Sequence, residues 1–140
     1  MTGQTSQVGA PAPHRARGVL DAQSEGSIVM RIPGTDYQLR LGVYKPVAVE
    51  VGKRLVGTIR ATARRIDSVG SGGEYIEPVY GEPRRIQGSV LAIDGADQTI
   101  VVKACVPISV KVGPGQRADQ FEAGQMVAFD VQSGTYFLPA

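Results

Sequence analysis

The feature that most constrains this chain is that it reads as two copies of one short-strand pattern. Ile28-Val29 recurs as Ile100-Val101, and Glu50-Val51-Gly52 recurs as Glu122-Ala123-Gly124, both at a spacing of 72 residues. Arg31 and Lys103 fall in the same register, and Gly18 and Gly88 precede the two blocks at similar distances. Self-similarity at a fixed period indicates structural units that complete their cores against one another. Either copy alone would bury only about 60% of its unfolded surface, so the halves are expected to pack together.

Within each copy the apolar residues alternate. Ile28, Met30 and Ile32 alternate with Val29 and Arg31, the turn Pro33-Gly34-Thr35-Asp36 follows, and Tyr37, Leu39 and Leu41 alternate with Gln38 and Arg40. A period of two gives one buried face and one wet face, as in an antiparallel hairpin. Val47, Val49 and Val51 predict a further strand, and Gly52-Lys53 a turn into the next. In the second copy Asp94-Gly95-Ala96-Asp97 separates Val90–Ile93 from Thr99–Val102; Ile108, Val110 and Val112 alternate, and Met126–Val131 and Tyr136–Leu138 close the set. Residues 59–66 admit a helical reading through Ile59, Ala63 and Ile66, but Thr58, Thr62 and the match to Met126–Val131 favour a strand. The expected fold is all-β: two tandem five-stranded small barrels, OB-like or SH3-like, packed together, because so few short strands must curl to hide their edges. The expected boundaries are a disordered tail over 1–15, a first unit over 16–78, a connector over 79–86 and a second unit over 87–139. In the connector region Tyr75-Ile76-Glu77-Pro78 and Tyr80-Gly81-Glu82-Pro83 share a Tyr-x-Glu-Pro pattern. Tyr75 is expected to pair as a strand of the first unit, and Tyr80 to pack between the halves.

Residues 1–14 are polar and small, without the basic start and apolar run of a secretory signal, and no stretch approaches the roughly 18 apolar residues of a membrane-spanning helix. A cytoplasmic protein without membrane contact is expected. Cys105, the single cysteine, lies in the run Val101–Val106 and reads as a small buried hydrophobe.

Catalytic and cofactor signatures are missing: the chain has no GxGxxG, GxxxxGK[ST], HExxH, CxxC or GxSxG, and its one histidine is His14. No enzyme activity, metal or cofactor is expected. The carboxylates Glu74, Glu77 and Glu82 cluster in sequence and read as a solvated or docked acidic connector.

Charge is the remaining signal. Residues 1–70 hold ten Lys/Arg against five Asp/Glu, whereas residues 71–140 hold five against eight. Such asymmetry points to an anionic partner on the first half or to attraction between the halves. Lys53, Arg54, Arg60, Arg64 and Arg65 are the candidate anion ligands, with Tyr37 and Tyr44 as stacking surfaces, the combination that small barrels use to hold single-stranded nucleic acid. Arg60-Ala-Thr-Ala-Arg64 resembles the RxxxR element of cyclic-di-GMP-binding PilZ barrels, although no DxSxxG follows it. The expected function is a non-catalytic binding module for single-stranded nucleic acid or another anionic ligand. The alternative is a structural or adaptor protein working through protein contacts or homo-oligomerisation.

Overall fold

The computed structural model describes residues 14–140, so the expected tail lies outside the described residues except for His14 and Arg15. The described chain is all-β, a single mixed sheet of eleven strands. These are β1 (Ala16–Ser24), β2 (Ser27–Arg31), β3 (Gln38–Gly42), β4 (Arg54–Ser68), β5 (Tyr75–Glu77), β6 (Tyr80–Gly81), β7 (Arg85–Asp94), β8 (Thr99–Ala104), β9 (Val106–Lys111), β10 (Met126–Val131) and β11 (Tyr136–Pro139). A 3-10 turn lies at Ala118–Gln120. No helix among the described residues is long and apolar enough to cross a membrane.

The β1–β2 and β7–β8 hairpins correspond residue for residue. Leu20 pairs with Met30 and, after a bulge, Ala22 with Val29. Val90 pairs with Val102 and, after a bulge, Ala92 with Val101. Gly18 and Gly88 fill one role in the two hairpins: a Cβ at Gly18 would lie 2.7 Å from the Arg31 carbonyl oxygen, and a Cβ at Gly88 would collide with that of Lys103. The turns before β4 and β10 also correspond. Gly52 donates to Leu20 O and Gly124 to Val90 O, at 2.7 and 2.8 Å. Both glycines adopt left-handed backbone, φ 93° and 91°, which a side chain would oppose.

The pairing departs from two tandem units at β4. This 15-residue strand pairs through Arg54–Gly57 with β1 and through Gly57–Arg60 with β11. It then pairs through Arg60–Thr62 with β9 and through Ala63–Ser68 with β10. One circuit of pairing therefore runs β1, β2, β3, β11 and the start of β4, and another runs β7, β8, β9, the end of β4 and β10. The last strand of the chain completes the first circuit, and the tail of β4 completes the second. The reason is length: at about 3.3 Å per residue, β4 runs for roughly 50 Å, too far for a single small unit to enclose. One core results, from Leu20, Ile28 and Leu55 through Ile59 to Ile86, Ile100 and Phe129.

Three local expectations are corrected. Residues 43–53 form no strand; Pro46 lacks an N–H, and the Val47 N–H is taken by Gln23 Oε1 at 2.8 Å. Tyr75 pairs with Gln87 of β7, not with the first half, because the short loop to Arg85 makes the local antiparallel pairing the cheapest to close. Tyr80 does not pack between the halves: β6 lies beside β3 as a parallel edge strand, leaving the ring 72% exposed.

Candidate anion-binding face

Register decides which charged side chains meet. Val19 pairs with Arg54 on one side and with Arg31 on the other. Arg31 pairs with Gln38, and Gln38 with Tyr80. Directly opposed residues share a face, so Arg54, Val19, Arg31, Gln38 and Tyr80 form one row across five strand segments on the outer side of the first circuit. At about 4.8 Å between strands the row is roughly 19 Å long. Arg17 and Arg40, both exposed, flank it at positions two residues from Val19 and Gln38. Asp21 orients the centre of the row: its carboxylate accepts from Arg31 Nε at 3.1 Å and from Gln38 Nε2 at 3.4 Å. The Arg31–Asp21 pair is solvent-exposed and contributes only about 0–1 kcal/mol, so Arg31 can be drawn onto a ligand at small cost.

The fold does not require these cations. At the positions matching Arg17, Arg31 and Arg54, the second half carries Gln87, Lys103 and Met126. Ser109 stands where the first half has Arg40, and Leu91 where it has Asp21. Lys103 is in turn held by Glu74 at 3.2 Å. The same local pairing thus forms with four arginines or with one engaged lysine.

Comparison with known protein families, curated proteins and solved structures finds no match to this chain.

Of the residues singled out from sequence, Arg54 lies in this row, and Lys53 is exposed next to it at the turn into β4. Arg60 does not: its guanidinium donates to Asp97 Oδ2 at 3.1 Å, and the two side chains are only 13% and 15% exposed. Arg64 and Arg65 are exposed at the far end of β4, where the pairing of Ala63 with Val131 and Ile66 with Phe129 leaves both opposite Asp130 in a β-bulge. Ten residues of strand, about 33 Å, separate them from Arg54, and Arg65 pairs with Asp67. The half-buried Tyr37 hydroxyl accepts from the Ile76 N–H at 3.1 Å. Tyr44 packs on Tyr136 with ring centroids 5.1 Å apart, and burial, followed by the hydrogen bond with Tyr44, raises the Tyr136 hydroxyl above its ordinary pKa. Arg17, Arg31, Arg40 and Tyr80 were not among the sequence candidates. The signal that could have found three of them is the period of two, which puts Arg17, Arg31 and Arg40 on the wet face of successive strands.

The acidic residues of the connector disperse. Glu74 accepts from Lys103 and from the Cys105 N–H at 2.9 Å, whereas Glu82 accepts from the Gly134 N–H at 2.7 Å. Cys105 lies outside both strands, as the single residue joining β8 to β9, half-buried with φ 69°. Burial, then the Glu74 charge, raises its thiol pKa, which disfavours the thiolate. Among the described residues no group of metal-ligating side chains converges.

Proposed function

We propose that this chain is a non-catalytic module that binds single-stranded nucleic acid along the outer face of its first circuit. The observation that supports it is the row Arg54–Val19–Arg31–Gln38–Tyr80, flanked by Arg17 and Arg40. Guanidinium groups grip phosphates bidentately, and Tyr80 offers an exposed ring for a base, a contact with no sequence demand. In this reading the two circuits are small OB-like barrels descended from a repeat, with the ligand face on one copy only, and the protein works in the cytoplasm. Lys53 and Arg54 keep their assigned role, while Arg60, Arg64, Arg65, Tyr37 and Tyr44 leave the ligand set.

The test is fluorescence anisotropy with a labelled oligothymidylate over a series of salt concentrations. Four phosphate contacts, from Arg17, Arg31, Lys53 and Arg54, give a slope of about −3 in log affinity against log salt, since each contact on a single strand contributes about −0.7. The double variant Arg31→Ala, Arg54→Ala should be shallower by about 1.4. Absence of binding at low ionic strength would refute the proposal. It would favour the adaptor reading, which draws on an apolar groove of about 400 Å³ lined by Tyr44, Pro46, Val47, Phe137, Leu138 and Pro139.

A further inference from the structure

Beside the basic row lies a cleft of about 320 Å³ whose lining includes Glu25, Ser27, Arg40, Glu82 and Thr135. Three glycines, Gly26, Gly42 and Gly134, form part of its wall. A Cβ at Gly26 or Gly134 would meet nothing within 4 Å, and both hold left-handed backbone, φ 80° and 103°. The volume is at the lower end of the range for ligand pockets, roughly 300–1,000 Å³. Thr135 is 3% exposed, and its hydroxyl has no hydrogen-bond partner among the described residues. A buried polar group in that state is costly unless something satisfies it.

The charged groups of the cleft are of two kinds. Glu25 and Glu82 are acceptors only when ionised, and Arg40 is a donor only. Glu82 uses Oε2 on the Gly134 N–H at 2.7 Å, which holds its carboxylate in place and leaves Oε1 for a ligand. Among the nucleobases, guanine is the one that offers adjacent donors, N1–H and N2–H₂, next to the acceptors O6 and N7. A carboxylate and an arginine lining one cleft offer partners for that edge. Thymine and uracil instead present two carbonyls around a single N–H, and a carboxylate repels them. The cleft lies close to the stacking residue in sequence: Glu82 follows Tyr80 by two residues, across Gly81 with φ 129°, so one base can stack on Tyr80 while its neighbour enters.

Building on the single-strand reading above, we infer that this cleft is a guanine-selective pocket for one nucleotide of the bound strand, with Arg40 facing O6 and N7 and Glu82 facing N1–H and N2–H₂.

The probes are two labelled oligothymidylates of equal length, one carrying a single central guanine. The guanine-bearing strand should bind about tenfold more tightly, the scale of one well-made bidentate base contact. Glu82→Gln keeps an acceptor for the Gly134 N–H but turns a donor toward the base; it should remove the preference and leave the salt slope unchanged. Arg54→Ala should weaken both strands by the same factor. Arg40→Ala provides a second variant should E82Q fold poorly, and it should also reduce the preference, through loss of the contact to O6 and N7. Equal binding of the two strands by the wild type overturns the pocket while leaving the basic face standing. Failure of both strands to bind overturns the face itself.

Discussion

Arg60 Nη2 lies 3.1 Å from Asp97 Oδ2, and this pair ties the middle of β4 to the turn between β7 and β8. Asp97 Oδ2 also accepts from the Thr99 hydroxyl at 3.0 Å, so the carboxylate is held from two sides. An arginine that looks free for a ligand in the sequence is therefore part of the joint between the two circuits. Removing Asp97 takes the carboxylate partner from a largely buried guanidinium. Asp97→Ala should cost about 2 kcal/mol, within the range for hydrogen bonds to charged groups, measured as a shift of the urea midpoint. Arg60→Ala should also destabilise, yet leave oligonucleotide affinity within about twofold, because it leaves the proposed phosphate contacts untouched.

Tyr80→Ala separates stacking from folding. With a ring 72% exposed, its loss should change the denaturation midpoint little. Affinity for an oligothymidylate should fall by about 1–3 kcal/mol at every salt concentration, with an unchanged salt slope. A changed slope would place Tyr80 among the phosphate contacts.

Phe137 tests the exchange of strands. It is 1% exposed on β11, pairs with Ile59, and belongs by sequence to the second half while closing the first circuit. Phe137→Ala should cost about 3–5 kcal/mol. Amide exchange should then accelerate in β3 and at the start of β4 before it does in β7 and β8. Faster exchange confined to β7–β9 would contradict the observed pairing.

Gly88→Ala should be more damaging than a surface substitution, because the added methyl meets the Lys103 carbonyl. The expected loss is about 1–3 kcal/mol, the scale of overpacking a tight site. Gly18→Ala should behave alike, since its Cβ would approach the Arg31 carbonyl oxygen and Met30. Thermal melts of both variants check this.

Cys105 should react slowly with iodoacetamide at mildly alkaline pH, because burial and then Glu74 raise its thiol pKa. The neutral thiol is favoured in the fold. Its contribution to stability is thus fully present below the unfolded thiol pKa and is lost as pH rises through the folded value. Glu74→Gln removes the like charge and should shift the alkylation profile toward lower pH.

Local structure was largely legible in the residues themselves. Alternation at Ile28–Ile32, Leu39–Leu41, Thr99–Val102 and Ile108–Val112 marks strands that the structure contains, since a period of two follows from backbone geometry alone. The shared turn at Gly52 and Gly124 and the strand through Thr58–Ile66 follow from left-handed backbone and β-branching in the same local way. What only the tertiary structure decided is which edge meets which edge. Backbone N–H and C=O groups are the same in every residue, so nothing in the side chains states that β11 joins β3 and β4, or that the tail of β4 joins β10. That choice sets everything about the candidate face. It hides Arg60 against Asp97, leaves Arg64 and Arg65 on a remote bulge, and aligns Arg54 with Arg31 and Tyr80. Each of those neighbours is created by non-local register, through residues far apart in the chain.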